Sequence, residues 1–121
     1  MDKNVLVLAY LGDAIYELYI RSYLITKGIA KVNNLQKEAI KYVSANNQAY
    51  YLKLMVDNNF LNKDEIEIIK RARNHKSHKC PKSTDVLTYK NATGIEALIG
   101  YLYLQNNHER VKQIMKFIVG E

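Results

Sequence analysis

The sequence predicts an all-α fold, with six or seven helices in a single domain that spans residues 1–121. Apolar residues recur at intervals of three and four along most of the chain, which is the spacing of one helix face. No segment alternates between apolar and polar residues, as a half-buried strand does. The single proline, Pro81, lies in an irregular segment, so proline interrupts none of the predicted helices.

The first predicted helix runs from residue 4 to about residue 26. Asn4 is a favourable N-cap, and Gly28 suits the stop at the other end. Five apolar residues at helical spacing indicate that the helix is buried or half-buried. They are Leu8, Leu11, Ile15, Leu18 and Tyr19.

The next two predicted helices follow one another directly. Asn33 and Asn34 offer a cap for a helix over residues 35–44, and Ser44 caps a helix that extends to about residue 58. The predicted inner face of the second helix is formed by Leu35, Ala39, Tyr42 and Val43, with Lys37 and Lys41 pointing outwards. The predicted apolar stripe of the third helix is formed by Ala45, Ala49, Leu52 and Val56.

A capping-box pattern of Asn62 and Glu65 predicts a fourth helix over residues 63–73. Its predicted inner face is formed by Ile66, Ile69 and Ala72. Residues 74–88 lack periodicity and are predicted to be the one long irregular segment. A long loop in a compact domain is often functional.

The last two predicted helices cover residues 89–105 and 107–119. Asn106 and Glu109 form a second capping-box pattern, and Gly120 suits the final stop. Apolar residues make up 48% of the chain, which is enough for a hydrophobic core. No apolar run approaches the ~20 residues of a membrane-spanning helix, so we expect no membrane segment.

Asp13 is the anomaly of the first helix, because an isolated carboxylate among apolar residues costs free energy unless a positive group meets it. Gly12 precedes it, and glycine inside a helix costs about 1 kcal/mol relative to alanine. Such a glycine is usually kept for the close approach of backbone, metal or ligand. We therefore interpret Gly12 and Asp13 as part of a functional site.

A second carboxylate of the same kind occurs near the other end of the chain. Glu96 lies in the segment 93–104, which is otherwise apolar or small. If the two helices pack through their apolar faces, Asp13 and Glu96 come together. Paired carboxylates in a low-dielectric pocket repel each other, and a hard divalent cation with oxygen ligands satisfies both.

Positive charge is concentrated between the fourth helix and the irregular segment. The net charge is +6, and the stretch from residue 70 to residue 82 contains basic residues but no acid. The basic residues are Lys70, Arg71, Arg73, Lys76, Lys79 and Lys82. This density favours a phosphate-binding surface for RNA, DNA or an anionic membrane. The alternative is a solvated loop whose charges serve solubility.

Two further acids have alternative interpretations. Glu17 lies one turn after Asp13 and so is a candidate to assist the site or bind a metal. It also lies one turn before Arg21, and an ion pair between these two is the interpretation that we favour. Asp85 either caps the following helix or orients the basic loop.

The irregular segment also contains a possible zinc-binding pattern. His75, His78 and Cys80 offer three ligands, but structural zinc sites usually bring two well-spaced pairs, so we favour phosphate contact or exposure. As the only cysteine, Cys80 cannot form an internal disulfide, which agrees with a reducing compartment. With no leader pattern at the start of the sequence, we expect a cytoplasmic location.

The two acidic segments resemble the signatures of one known family. LAYLGDAIYE at residues 8–17 resembles the signature helix of the ribonuclease III catalytic domain, and IEALIGYLYL at residues 95–104 resembles that domain's second signature. The run RARNHKSHKCPKSTDVLTYKNATGIEAL at residues 71–98 is similar to Mini-III, the branch that lacks the usual double-stranded-RNA-binding domain. The resemblance covers residues 5–120 and depends on the order and spacing of these motifs.

The resemblance implies a homodimeric endoribonuclease that cleaves double-stranded RNA and leaves 5′-phosphate and 3′-hydroxyl ends. It implies Mg²⁺, for which Mn²⁺ can substitute, held by the catalytic acids Asp13 and Glu96. The RNA-binding residues would be Arg71, Arg73, Asn74, Lys76, Lys79 and Lys82. Residues expected to assist the site without reacting are Gly12, Glu17, Asp85 and Thr93. The Mini-III branch is associated with maturation of the large-subunit ribosomal RNA precursor, helped by a large-subunit ribosomal protein.

The chain departs from the larger family at four positions. Ala9 and Leu6 stand where the family has further glutamates before the catalytic Asp, and Thr93 stands where it has a second Asp. An additional family Glu falls near Val32. Mini-III sequences share this reduced set of acids, so we interpret the losses as a character of the branch, and the number of metal ions per site is left open.

Two rival interpretations keep the same helices. A non-catalytic RNA-binding or ribosome-assembly module would retain the basic loop, and its carboxylates would serve only as a structural ion pair. A purely structural helical dimer would need neither the basic loop nor the Gly-Asp step. A membrane-surface role is weaker, because the basic residues lie in a loop rather than on an amphipathic helix.

Overall fold

A computed structural model describes residues 4–75, 80, 82 and 84–121, and these residues form six helices. The helices are α1 (Val5–Thr26), α2 (Val32–Val43), α3 (Ala45–Asp57), α4 (Lys63–Arg73), α5 (Val86–Leu104) and α6 (His108–Val119). No strand occurs in this part of the chain, which confirms the predicted all-α fold. Each helix found there is too short or too polar to span a bilayer.

Helix α5 lies at the centre of the fold, where α1, α3 and α4 all pack against it. It is apolar or small on most of its faces, as expected for a helix surrounded by protein. Its buried residues are Ala92, Thr93, Gly94, Ile95, Ala97, Leu98, Ile99, Gly100 and Leu102. Helix α2 packs against α1 and α3, and α6 packs against α5 and α1.

The crossing of α1 and α5 is a direct contact between two backbones. A Cβ atom on Gly12 would overlap the carbonyl oxygen of Glu96 and lie 3.0 Å from the backbone nitrogen of Gly100. A Cβ atom on Gly100 would in turn overlap the carbonyl oxygen of Leu8 and lie 3.2 Å from the nitrogen of Gly12. The two glycines therefore face each other across the crossing, and each is required because any side chain would push the helices apart.

Most of the predicted helix caps are confirmed, because a cap is decided by residues close in sequence. The side chains of Asn4 and Ser44 accept hydrogen bonds from the first turns of α1 and α3. Asn62 and Glu65 form both bonds of the predicted capping box. The predicted stops are also found, with φ of 89° at Gly28 and 82° at Gly120.

The starts of three helices differ from the predictions. Helix α2 begins at Val32, so Asn33 lies inside it, and Lys31 at the cap position makes no side-chain cap bond. Helix α5 begins at Val86 rather than residue 89, because Asp85 accepts a hydrogen bond from the backbone of the first turn. Asp85 thus has the capping role that was one of its two interpretations.

The cap of α6 is Asn107 and not the predicted Asn106. Asn106 has φ of 59°, in the left-handed region that asparagine tolerates better than most residues. The backbone of Asn106 turns the chain after the end of α5, so the next residue, Asn107, occupies the N-cap position of α6. The side chain of Asn107 accepts the hydrogen bond from the nitrogen of Arg110.

Two predicted buried faces are wrong in part. Leu18, assigned to the inner face of α1, is 62% exposed. In α3 the predicted stripe included Val56, which is exposed, whereas the buried residues are Gln48, Leu52 and Met55. The helix is rotated relative to the prediction because α5 determines which face is covered, and α5 is distant in sequence. The predicted inner residues of α2 are half-buried and its two lysines are exposed, as expected.

A buried ion pair joins α4 to α6. Arg110 Nε donates to Glu65 at 2.7 Å, and its Nη2 donates to the carbonyl oxygen of Phe60 at 2.7 Å. The guanidinium also lies over the ring of Phe60, 4.5 Å from its centre. Burial raises the pKa of Glu65, but the hydrogen bonds from Arg110 and from the Asn62 backbone outweigh it and hold the pKa below its ordinary value.

Candidate active site

The backbone contact between α1 and α5 brings the two predicted acids together. Gly12 lies against the carbonyl of Glu96, so the side chain of the next residue, Asp13, emerges beside the Glu96 side chain. The two carboxyl groups are close enough for Asp13 to raise the pKa of Glu96. Asp13 is exposed and Glu96 is half-buried, so the pair forms a shallow site with one acid at the surface and one below it.

The environment of Glu96 strongly disfavours its charge. Burial and the neighbouring Asp13 carboxylate, together with their shared hydrogen bond, raise the pKa of Glu96 to about 9. A hydrogen bond from Gln48 acts in the opposite direction, because an amide donor stabilises the ionised form. In the absence of a cation, this pKa favours the protonated form of Glu96 at neutral pH.

Gln48 is a member of this site that the sequence analysis missed. It lies in the first turn of α3, is 2% exposed, and donates from Nε2 to Glu96 Oε2 at 3.4 Å. The available signal was the spacing of Leu52 and Met55, because the face that carries both of them continues to Gln48 one turn earlier. The predicted apolar stripe lay on a neighbouring face of α3 and did not include this amide.

Tyr16 forms the floor beneath the acids. It is fully buried, one turn after Asp13 on α1, and its hydroxyl donates to the carbonyl oxygen of Tyr42 on α2 at 2.6 Å. Burial raises the pKa of Tyr16 well above its ordinary value, and the negative charges of Tyr51 and Glu96, when ionised, add to this. The phenol therefore stays neutral and holds α1 to α2 below the site.

The other residues expected to assist the site do not contact the acids through any hydrogen bond that the structure gives. Glu17 forms the favoured ion pair with Arg21, at 2.9 Å. The buried Thr93 donates from Oγ1 to the carbonyl oxygen of Tyr89 in its own helix, at 3.0 Å. Gly12 acts through the backbone contact already described, and Asp85 caps α5.

The predicted RNA-binding residues are divided between exposed and half-buried positions. Arg71 and Asn74 are exposed at the end of α4, and Lys82 is exposed in the segment before α5. Arg73 is half-buried, and its Nε has no hydrogen-bond partner among the described residues. Lys76 and Lys79 lie outside the described residues.

The carboxylate oxygens of Asp13 and Glu96 suit Mg²⁺. This ion is commonly held by one or two carboxylates, while water and substrate phosphate complete its coordination. None of the ion pairs between described residues involves Asp13 or Glu96, so no protein cation satisfies them there. Within the same part of the chain, no group of three or more His, Cys, Asp or Glu residues could hold a metal. Of the possible zinc ligands, His78 lies outside the described residues.

Comparison with known proteins gives one family. The family model described as the ribonuclease III domain matches residues 6–107. A protein named Mini-ribonuclease 3 from Clostridium tetani is 45% identical over 98% of this chain and 78% of its own length. A protein of the same name from Streptococcus pneumoniae is 46% identical over 96% of this chain and 91% of its own length.

A solved structure shows the same arrangement of helices. The crystal structure of a protein from Fusobacterium nucleatum superposes with a TM-score of 0.86 and 38% sequence identity. The superposition covers 98% of this chain and 93% of the other. The fold described above is therefore that of a solved relative over nearly its whole length.

Proposed function

The chain belongs to the ribonuclease III family as an endoribonuclease of the Mini-ribonuclease 3 group, and we propose that it hydrolyses double-stranded RNA with Mg²⁺ held by Asp13 and Glu96. The observation that carries the proposal is the proximity of these two carboxyl groups where the backbones of α1 and α5 cross. None of the ion pairs between described residues involves either acid, and a divalent cation is a partner that would satisfy both carboxyl groups.

When bound, Mg²⁺ supplies positive charge to the phosphate and makes a water molecule acidic enough to act as the nucleophile. Asp13 presents its carboxylate at the surface, where RNA arrives. Glu96 supplies the second carboxylate from below and gives up its proton when the cation binds. Mn²⁺ has similar oxygen preferences and is expected to substitute.

The reaction is hydrolysis of one phosphodiester bond. The oxygen of water bonds to phosphorus, and the bond from phosphorus to O3′ breaks. A proton ends on O3′, so one fragment has a 3′-hydroxyl and the other a 5′-phosphate. The exposed Arg71 and Lys82 would hold the strand by its phosphates, which fixes its position without reading its sequence.

We expect RNA duplexes to be preferred to DNA because A-form helices are recognised largely by their shape and 2′-hydroxyls. Among RNA duplexes, the ends of the large-subunit ribosomal RNA precursor are the proposed natural substrate. Choice between duplexes would depend on RNA geometry and on a ribosomal protein bound to the precursor. We expect this cleavage to take place in the cytoplasm.

The test is incubation of the purified chain at low salt with a labelled duplex from these precursor ends, in Mg²⁺ and in EDTA. We expect discrete products with 5′-phosphates in Mg²⁺ and none in EDTA. Single-stranded RNA of the same sequence and the corresponding DNA duplex should be cleaved much more slowly. A Glu96→Gln variant purified in parallel excludes a contaminating nuclease. Duplex binding without cleavage under any condition would instead identify an RNA-binding module.

The proposed active form is a homodimer, formed through the outer face of α1. Val7, Tyr10, Leu18 and Ile25 follow one another on this face at helical spacing, and all are exposed. Tyr10, in the second turn of α1, is 84% exposed, which is unusual for so large an aromatic side chain. Asp13 lies one turn from Tyr10 at the edge of this face, so a second copy would place two acid pairs near one shared surface.

Replacing Leu18 by glutamate is expected to convert the dimer to monomer, because a second copy would bury the introduced charge without a partner. Sedimentation equilibrium measures the mass directly. Val56→Glu is the matched control, since Val56 is an exposed apolar residue on α3, away from this face. A wild-type chain that sediments as a monomer, or a Leu18→Glu variant that remains a dimer, would contradict the proposed interface.

A further inference from the structure

We propose that Gln48 is a positioning residue of the active site, and that its buried amide holds the Glu96 carboxyl group in the orientation in which it meets Asp13. The inference rests on the proposed function. Its basis is the contact between Gln48 Nε2 and Glu96 Oε2, at 3.4 Å, between two helices whose residues are far apart in sequence.

Packing does not explain the presence of this amide. A buried amide costs free energy unless it is hydrogen-bonded, and an apolar residue of similar size would fill the same space without that cost. Of the three polar residues that the structure shows as buried, Glu65 is held by Arg110 and by its capping box, and Thr93 bonds its own helix. Gln48 differs from both, because the partner that the structure gives it is an acid of the proposed site.

The position of Gln48 is well fixed by its surroundings. It lies in the first turn of α3, where its backbone nitrogen donates to the carbonyl of Ser44 at 2.9 Å. Asn47, the preceding residue, donates from Nδ2 to Ser44 Oγ at 2.8 Å and to the carbonyl of Ile40 at 3.2 Å. These bonds lock the corner between α2 and α3. A side chain that orients another must extend from a fixed backbone into packed surroundings, and Gln48, which is 2% exposed, meets this condition.

The chemistry of an amide suits this task better than that of a charged group. Lysine or arginine at this position would neutralise Glu96 and compete with a divalent cation for it. Glutamate would add a third acid to a pair in which Asp13 already disfavours the charged form of Glu96. The amide donates one hydrogen bond to one carboxyl oxygen, adds no charge, and leaves the other oxygen free to face Asp13.

The test compares Gln48→Met with wild type and with Leu52→Met, a substitution one turn further along the same buried face. Methionine is similar to glutamine in length but cannot donate. We expect Gln48→Met to lower kcat about 10- to 100-fold, which is the usual cost of losing a group that orients a metal ligand. The KM for duplex RNA should stay close to that of wild type, because no phosphate contact is removed. Leu52→Met should leave kcat unchanged.

A second measurement needs no substrate. In the metal-free protein, added Mg²⁺ should raise the Tm of wild type and of Leu52→Met, whereas Gln48→Met should need at least about tenfold more Mg²⁺ for the same rise. A Gln48→Met variant with unchanged kcat and unchanged Mg²⁺ dependence of Tm would overturn the proposal. If the variant does not fold, Gln48→Asn replaces it, because this shorter amide cannot reach Glu96 and should show the same losses.

The two proposals fail in different ways. If wild type does not cleave duplex RNA in Mg²⁺, the proposed function falls, whatever the Gln48 variants do. If wild type cleaves and Glu96→Gln does not, but Gln48→Met matches wild type in both measurements, only the role of Gln48 falls.

Discussion

Replacing Glu96 by glutamine is expected to lower the rate of RNA cleavage by a factor of about 10³, or ~4 kcal/mol, and at the same time to stabilise the metal-free protein. The loss of activity follows because an amide is a poor ligand for Mg²⁺ and cannot balance its charge. The gain in stability follows because glutamine keeps the shape and hydrogen-bonding capacity of the protonated acid but removes the ionisable group that burial and Asp13 oppose.

The pH dependence of this stabilisation has a definite sign. The unfolded chain ionises Glu96 near its ordinary pKa of 4.5, whereas the folded chain holds its proton up to about pH 9. Between these values unfolding releases a proton, so the wild-type free energy of unfolding falls as the pH rises. Glutamine cannot titrate. Its advantage should therefore be absent near pH 4, grow as the pH rises, and reach about 5 kcal/mol near pH 8.

Urea unfolding of both proteins in EDTA, between pH 4 and pH 9, measures this difference. The matched control is Glu67→Gln, because Glu67 is an exposed acid on α4 and its replacement should change neither activity nor the pH dependence. A Glu96→Gln variant that is less stable than wild type at pH 8 would show that the surroundings of Glu96 do not disfavour its ionised form. A Glu96→Gln variant that still cleaves RNA would show that Glu96 is not a catalytic residue.

Replacing Gly12 or Gly100 by alanine is expected to lower the free energy of unfolding by more than about 3 kcal/mol. In an isolated helix the same change would stabilise by about 1 kcal/mol, so the two effects oppose each other. The loss prevails because each new methyl group would overlap a backbone carbonyl oxygen of the facing helix. A backbone inside a helix cannot rotate away as a side chain can, so the whole crossing must open.

Gly94→Ala provides a graded comparison within α5. Its Cβ would lie 3.0 Å from Cγ2 of Ile69, a side-chain methyl group, and this contact is longer than the overlaps with backbone oxygens at Gly12 and Gly100. We expect a smaller loss than at Gly12 or Gly100. Urea unfolding of the three variants gives the order directly. A Gly12→Ala variant within about 1 kcal/mol of wild type would mean that the helices do not touch at this point.

Local signals in the sequence predicted much of the fold. The caps at Asn4, Ser44 and Asn62 depend on residues two or three positions away, so the sequence contains everything that decides them. Asn106 and Asn107 show the limit, because both can cap a helix. Which one does so depends on how α5 ends.

Long-range packing decided what the sequence could not. Leu18 is apolar and correctly spaced for a core, but the helices that pack against α1 leave it exposed. Gln48 was missed because its partner lies 48 positions away and on another helix. The proximity of Asp13 and Glu96 was predictable from the sequence. Both are acids in apolar helices, where an isolated carboxylate costs free energy, and one cation can satisfy the two together. Their proposed roles in catalysis remain predictions.

The glycine crossing has a consequence for protein engineering. Backbone atoms at Gly12 and Gly100 determine how closely the two helices approach at the acids, so the outer face of α4 is not needed to maintain this approach. That face can be redesigned while the main chain keeps the spacing of the two acids. A library that randomises the exposed positions of α4, while fixing the two glycines, both acids, Gln48 and the outer face of α1, would sample new RNA preferences on an unchanged proposed site.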